Sequence, residues 1–195
     1  MAAPISVAEL KKMPVLSYDS VRNTLQTGDL FFCVGEYAIS RFIRKITKST
    51  FSHVGIIYKD ENLNRIFFLE SELFYGVRMA PFSKYFKNGF RKKRPYKGIV
   101  VIASVDLPEN IDIREAINFG MDELTRPYDN SEVINILLRT MLKIAKKPSD
   151  NKYICSEYVA ACFKKIGIEF GKGEKSITPK NIWEDSRITF KGRLL

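Results

Sequence analysis

The chain predicts an α+β fold. Strand-like segments concentrate before residue 105 and helix-like segments after it, with one helix inserted early, and that segregation is the mark of α+β architecture. The length of 195 residues suits one domain. The expected layout is an N-terminal extension over 1–27, a mainly stranded part over 28–105 and a mainly helical part over 106–195.

Taken in order, Asp19–Gln26 reads as a short helix with Asp19 as N-cap. Gly28-Asp-Leu-Phe-Phe-Cys-Val34 reads as a buried strand. From Glu36 to Lys48 the apolar residues Ile39, Phe42, Ile43 and Ile46 recur at helical spacing. Arg41, Arg44, Lys45 and Lys48 fall elsewhere on the wheel, which predicts an amphipathic helix with a basic face. Ser52–Tyr58 and Arg65–Ser71 are rich in β-formers and flank Lys59-Asp-Glu-Asn-Leu-Asn64, a turn-forming hexapeptide, so they predict a hairpin. Arg91-Lys-Lys-Arg-Pro95 reads as a basic loop and Gly98–Ser104 as another buried strand. Pro108 and Asn110 precede a helix over Ile111–Leu124, and Ser131–Ala145 makes a second, broken at Pro148. A third spans Ile154–Ile166, with Ile154, Tyr158, Val159, Cys162, Phe163 and Ile166 as its apolar face and Gly167 as its C′ residue. Thr178-Pro179 supplies an N-cap and an N1 proline for a short helix through Trp183.

Composition narrows the class. A hydrophobic fraction of 45% with 28% charged residues sets aside long disorder and collagen-like repeats. Three cysteines without framework spacing argue against an extracellular disulfide fold. No basic-then-apolar leader opens the chain, and the longest apolar runs, Gly98–Val105 and Val133–Leu138, fall far short of a bilayer span. The expectation is a reduced, cytoplasmic protein. The net charge of +10 admits nucleic acid, an anionic membrane surface or an acidic polymer as partner, without ranking them. Nucleic acid is the weakest of the three, because the basic clusters at 91–94, 146–147 and 164–165 lack interleaved aromatics in a recognised module.

Chemistry concentrates on few residues. His53 is the one histidine. If the hairpin turn centres on Glu61-Asn62, the residue opposite His53 is Glu70, close enough for its carboxylate to fix one imidazole nitrogen and leave the other as a base. Glu72, on the same face one repeat further along, is the reserve. Cys33 and Cys162 lie on apolar faces and read as core residues. Cys155 stands at the first turn of a helix, where unpaired N–H groups favour a thiolate; beside a histidine it makes an activated nucleophile. One histidine and three scattered cysteines show no metal-ligand spacing, and no cofactor is expected.

Six segments in order carry a resemblance: Gly28-Asp-Leu30, Ser52-His-Val-Gly-Ile56, Phe67-Phe-Leu-Glu70, Arg126-Pro-Tyr-Asp129, Tyr153-Ile-Cys-Ser-Glu-Tyr-Val159 and Thr178-Pro-Lys-Asn-Ile182. Together they resemble the circularly permuted branch of the NlpC-type papain-like cysteine hydrolases, the group that includes YiiX-like proteins. The nucleophile comes last here, after the His and Glu strands, as in that branch. The resemblance implies an antiparallel sheet against helices, with Cys155 as nucleophile, His53 as general base and then acid, and Glu70 orienting His53. It further implies that Tyr128 stands beside the nucleophile, bonding the substrate carbonyl or the thiolate, with a buried core tyrosine as the alternative, and that Tyr153 lines the cleft. The implied activity is cleavage of amide bonds, of cell-wall-type peptides or related substrates, through an acyl-enzyme. A thiol acyltransferase or lipase-like enzyme on lipid esters and amides is the alternative, suggested by the related lecithin:retinol acyltransferase-like group. A catalytically retired lipid- or nucleic-acid-binding module is the alternative of another class.

Overall fold

The computed structural model describes residues 4–72, 75–87, 95–126, 154–174 and 176–195. Its centre is one antiparallel sheet in the order β4-β3-β2-β1-β5-β6. The strands are β1 (Leu30–Gly35), β2 (His53–Asp60), β3 (Arg65–Glu72), β4 (Gly76–Pro81), β5 (Gly98–Val105) and β6 (Ile188–Arg193). The helices are α1 (Val7–Lys12), α2 (Tyr18–Val21), α3 (Ala38–Thr47), α4 (Ile113–Asp122), α5 (Cys155–Lys164) and α6 (Pro179–Trp183), with a 3-10 turn at Phe82–Tyr85. Helices and an antiparallel sheet together make the α+β fold that the sequence predicts.

Strand alternation divides the core in two. Leu30, Phe32, Val34, Val54, Ile56, Leu69, Val101 and Ala103 point to the face covered by α4, α5 and α6, which contribute Ala116, Ile117, Tyr158, Val159, Cys162, Phe163, Ile182 and Trp183. Phe31, Cys33, Ile57, Ile66, Phe68, Val100 and Ile102 point to the other face, under Tyr18, Leu25, Phe82 and Tyr85. Central strand β1 is buried along its whole length, as its uninterrupted apolar sequence requires. Asp29, at the head of β1, is buried and held by the Lys191 ammonium of β6 at 2.8 Å, so the Gly-Asp-Leu segment pins an edge strand to the centre of the sheet.

Several boundaries differ from the sequence expectation. The first predicted helix is α2, and its N-cap is Ser17, which accepts from the Ser20 N–H at 3.1 Å, rather than Asp19. The helix expected over 111–124 is the shorter α4, capped by Asp112, because Asp112 Oδ1 reaches the Arg114 N–H at 2.9 Å. Edge strands β4 and β6 and helix α1 are additions to the expected elements, and β6 breaks the rule of helices alone after residue 105. Thr178 caps α6 as expected, in a reciprocal box with Asn181 and with Pro179 at the start. Gly167, just past α5, takes the left-handed conformation at φ +75°, as a C′ glycine should. The Arg91–Arg94 loop and the Ser131–Ala145 helix lie outside the described residues. Among the described residues no helix is long and apolar enough to cross a membrane.

The hairpin register also differs. Ile56 pairs with Leu69 and Asp60 with Arg65, so the turn centres on Asn62-Leu63, one residue beyond the expected centre. Asn64 takes φ 48°, in the left-handed region that asparagine tolerates. Continued along the strands, this register sets Glu70 against Gly55, two residues from His53 on the same face.

Candidate active site

Glu70 reaches His53 along the diagonal. His53, the first residue of β2, bonds the Glu70 Oε2 through Nε2 at 2.7 Å. Diagonal neighbours across a hairpin lie within reach of long side chains. Gly55 leaves the room for this: a Cβ there would collide with the Phe31 ring and approach the Leu69 carbonyl oxygen to 2.8 Å. Phe31 thereby sits beside the imidazole, ring centroids 6.0 Å apart.

Glu70 is completely buried and satisfied from three sides. Besides His53, Tyr85 donates its hydroxyl to Oε2 at 2.7 Å, and Arg78, directly opposite on β4, donates Nε to Oε1 at 2.8 Å and Nη2 to the same oxygen. Burial would raise the Glu70 pKa, but the charges and hydrogen bonds of His53, Arg78 and Tyr85 outweigh it and bring the value down to about 2. Burial would likewise lower that of His53; Cys155 and Glu70 outweigh it, so the imidazole holds its proton well above the usual histidine range. Glu72, the reserve carboxylate, lies at the end of β3 opposite Gly76.

Cys155 is the first residue of α5, and it lies near enough to His53 for its charge to help raise the imidazole pKa. With Nε2 committed to Glu70, the nitrogen left for the sulfur is Nδ1. The first α5 ladder bond runs from the Tyr158 N–H to the Ile154 carbonyl at 2.9 Å. The amides of Cys155, Ser156 and Glu157 therefore precede the ladder. The helix start is fixed by its neighbours rather than by substrate groups: Ser156 donates its hydroxyl to the Ile177 carbonyl at 2.7 Å, and Glu157 accepts from the Ile154 N–H and from Ser176. Thus the segment leading into α6 anchors the turn that presents Cys155.

The other two cysteines are different. Cys33 is buried directly opposite His53 on β1, and burial, with the charges of Glu70 and Cys155, pushes its thiol well up. Cys162 is buried against α4, its thiol pushed up to about 12, chiefly by burial. Only Cys155 is partly open to solvent. Tyr128 and Tyr153 lie outside the described residues. Arg78 and Tyr85 belong to the site and escape sequence reasoning. The one available signal is that Glu70, in an apolar strand, needs donors from both neighbouring strands once it is buried. Among the described residues no group of three or more His, Cys, Asp and Glu stands together as a metal cage.

Comparison with known proteins agrees with the fold. The structure of metalloprotein yiiX from Escherichia coli O157:H7 (DUF1105) matches with a TM-score of 0.61 at 18% identity, over 86% of this chain and 97% of that one. No curated protein matches. A family model described as permuted papain-like amidase enzyme, YaeF/YiiX, C92 family, matches residues 24–193. The order of parts on the chain, the sheet and helices that hold them, and that match over most of the length agree: the chain belongs to the C92 family of permuted papain-like amidases.

Proposed function

We propose that the chain is a cysteine hydrolase that cleaves amide bonds through Cys155, His53 and Glu70. One observation carries the proposal: the single imidazole of the chain is held by a buried carboxylate at 2.7 Å through Nε2, and Cys155, at the start of α5, lies near enough to act on its charge. In the reaction, His53 already carries the proton, and the sulfur of Cys155 attacks the substrate carbonyl carbon. The carbonyl oxygen takes up the negative charge, which the amides at the start of α5, ahead of the helical ladder, can meet as donors. The C–N bond then breaks as His53 gives the proton to the leaving amine, which leaves a thioester on Cys155. Water attacks that thioester, passes a proton to His53, and the acyl group departs as a carboxylic acid while the proton stays on His53. Glu70 keeps the ring oriented and compensates its charge throughout.

Transfer of the acyl group to an amine or alcohol differs only in which nucleophile resolves the thioester, and this is the second reading. The amphipathic basic helix α3 favours lipid-borne substrates for it. A metal does not suit the donor set here, although the yiiX relative is named a metalloprotein. Both Glu70 oxygens are occupied, and the Arg78 guanidinium beside them repels a cation.

Trapping the acyl-enzyme tests the proposal. Exposure to peptidoglycan-type peptides and to acyl lipids, followed by intact-mass spectrometry, should give an acyl adduct that maps to Cys155 and is absent in Cys155→Ala and His53→Ala. An adduct from peptides alone supports hydrolysis of cell-wall-type amides, and one from lipids alone supports the lipid reading. No adduct from either, with selective alkylation of Cys155 also absent, would overturn the enzyme assignment in favour of a retired module.

A further inference from the structure

Helix α3 follows β1 after a two-residue link, at the end of the sheet where the site lies. Cys33 of β1 pairs with His53, and the Gly35 N–H donates to Ser52 Oγ at 3.0 Å, one residue before the histidine. The helix contributes no buried residue to either core. Its half-buried side carries Ser40, Ile43, Arg44 and Thr47. The side turned to solvent carries Arg41, Phe42 and Lys45, with Ile39 at its border. Tyr37, the residue before the helix, is 53% exposed, and Ile39 and Phe42 are 36% and 38% exposed.

Apolar side chains left in water beside fixed cations need a partner that offers both apolar depth and negative charge. The segment 36–48 contains four basic residues, Arg41, Arg44, Lys45 and Lys48, against one acid, Glu36. No carboxylate among the described residues pairs with any of the four. Lys97, exposed beside the helix start through the Glu36 N–H bond to its carbonyl, adds a fifth charge. An aromatic and isoleucine edge flanked by Lys and Arg that no described carboxylate pairs is the pattern of a helix lying in a membrane interface. Nucleic acid would use the cations and leave Ile39 and Phe42 unexplained. An acidic protein surface would have to supply an apolar pocket of matching shape, for which the helix shows no complementary groove.

We propose that α3 is a docking surface for anionic lipid bilayers, seated by Tyr37, Ile39 and Phe42 and held by Arg41, Lys45 and their basic neighbours. Docking there sets the end of the sheet that carries His53 against the bilayer, so an amide or ester borne by a lipid, or tethered near the membrane, is brought to the side where His53 and Cys155 lie. The lipid contact itself does not depend on the catalytic reading, so Cys155→Ala should bind vesicles as wild type does.

The test is cosedimentation with vesicles of phosphatidylcholine containing about 30% phosphatidylserine, against phosphatidylcholine alone. Binding should need the anionic lipid and weaken as salt is raised. Replacing Arg41 and Lys45 by Gln should weaken it on the order of 25-fold, at about fivefold per basic residue. Phe42→Ser should weaken it about tenfold. In Phe42→Trp, emission should shift to the blue on anionic vesicles; the native Trp183 is buried and serves as a constant background. All these positions are exposed, and an unchanged melting temperature confirms folding. Three results would overturn the proposal. The first is no binding to anionic vesicles. The second is binding with no emission shift in Phe42→Trp and no loss in Phe42→Ser. The third is a change of oligomeric state in Phe42→Ser without lipid, which would assign the face to a second copy of the chain.

Discussion

Replacing the Glu70 carboxylate by an amide keeps its shape and removes its charge, which isolates what that charge does to His53. Glu70 helps to keep the imidazole protonated above the usual histidine range. In Glu70→Gln the ring should therefore lose its proton at lower pH, and the descending alkaline limb of the rate of Cys155 alkylation by iodoacetate, an anion drawn by the imidazolium, should move to lower pH. A profile that only falls in height, with the limb in place, would show that Glu70 supports the fold and not the base. The pairing of His53 with Glu70 is legible in the sequence, although the register expected there is off by one residue in the turn. Such an offset displaces every cross-strand partner by two positions and so preserves the face. A carboxylate long enough to reach diagonally then finds its histidine all the same. Arg78 and Tyr85 are not legible. They act on Glu70 from an edge strand and a 3-10 turn whose short, mixed sequences carry no period.

Strands and helices are clearest in the sequence where burial is two-sided or a cap is explicit. β1, β5, the face of α5 and the Thr178 box all stand out. β4 and β6 do not, because an edge strand needs only part of one face to be apolar, and Met79 on β4 is 39% exposed. The helix start falls at Ser17 and not at Asp19 because Ser17, Asp19 and Ser20 all make plausible caps, and only the backbone geometry selects among them. β2 carries the most exacting local demand, at Gly55. Its missing Cβ lets Phe31 pack under the hairpin beside His53. Gly55→Ala should cost about 1–3 kcal/mol through overpacking, because one of the obstructing atoms is the backbone oxygen of Leu69 and cannot rotate away. A fall in the urea midpoint with unchanged slope checks this, and a midpoint equal to wild type would show that the sheet accommodates the methyl group.

Stability of the whole molecule should depend on pH through the same buried group. The Glu70 value is depressed from 4.5 to about 2 on folding. Between those values the unfolded chain binds the extra proton, so stability is fully present above pH 4.5 and declines as the pH falls toward 2. The positive net charge grows over the same range and adds self-repulsion. His53 has the opposite sign: its folded value is raised, so its contribution is complete below pH 6.5 and is lost as the pH climbs through the folded value. Urea midpoints measured from about pH 5 to about pH 3 should fall in the wild type and fall less steeply in Glu70→Gln. Equal slopes would mean that Glu70 is not the group that couples folding to acid.

The order of parts along the chain has a consequence in time. A ribosome delivers β2 and β3, with His53 and Glu70, first, and α5 with Cys155 only after the Pro-Tyr segment has passed. During synthesis there is an interval in which His53 and Glu70 exist without Cys155, and none in which a nascent Cys155 precedes them. Cys155 thus meets a histidine and a carboxylate that are already synthesised, and the three come together with the docking of α5 rather than with the appearance of the cysteine.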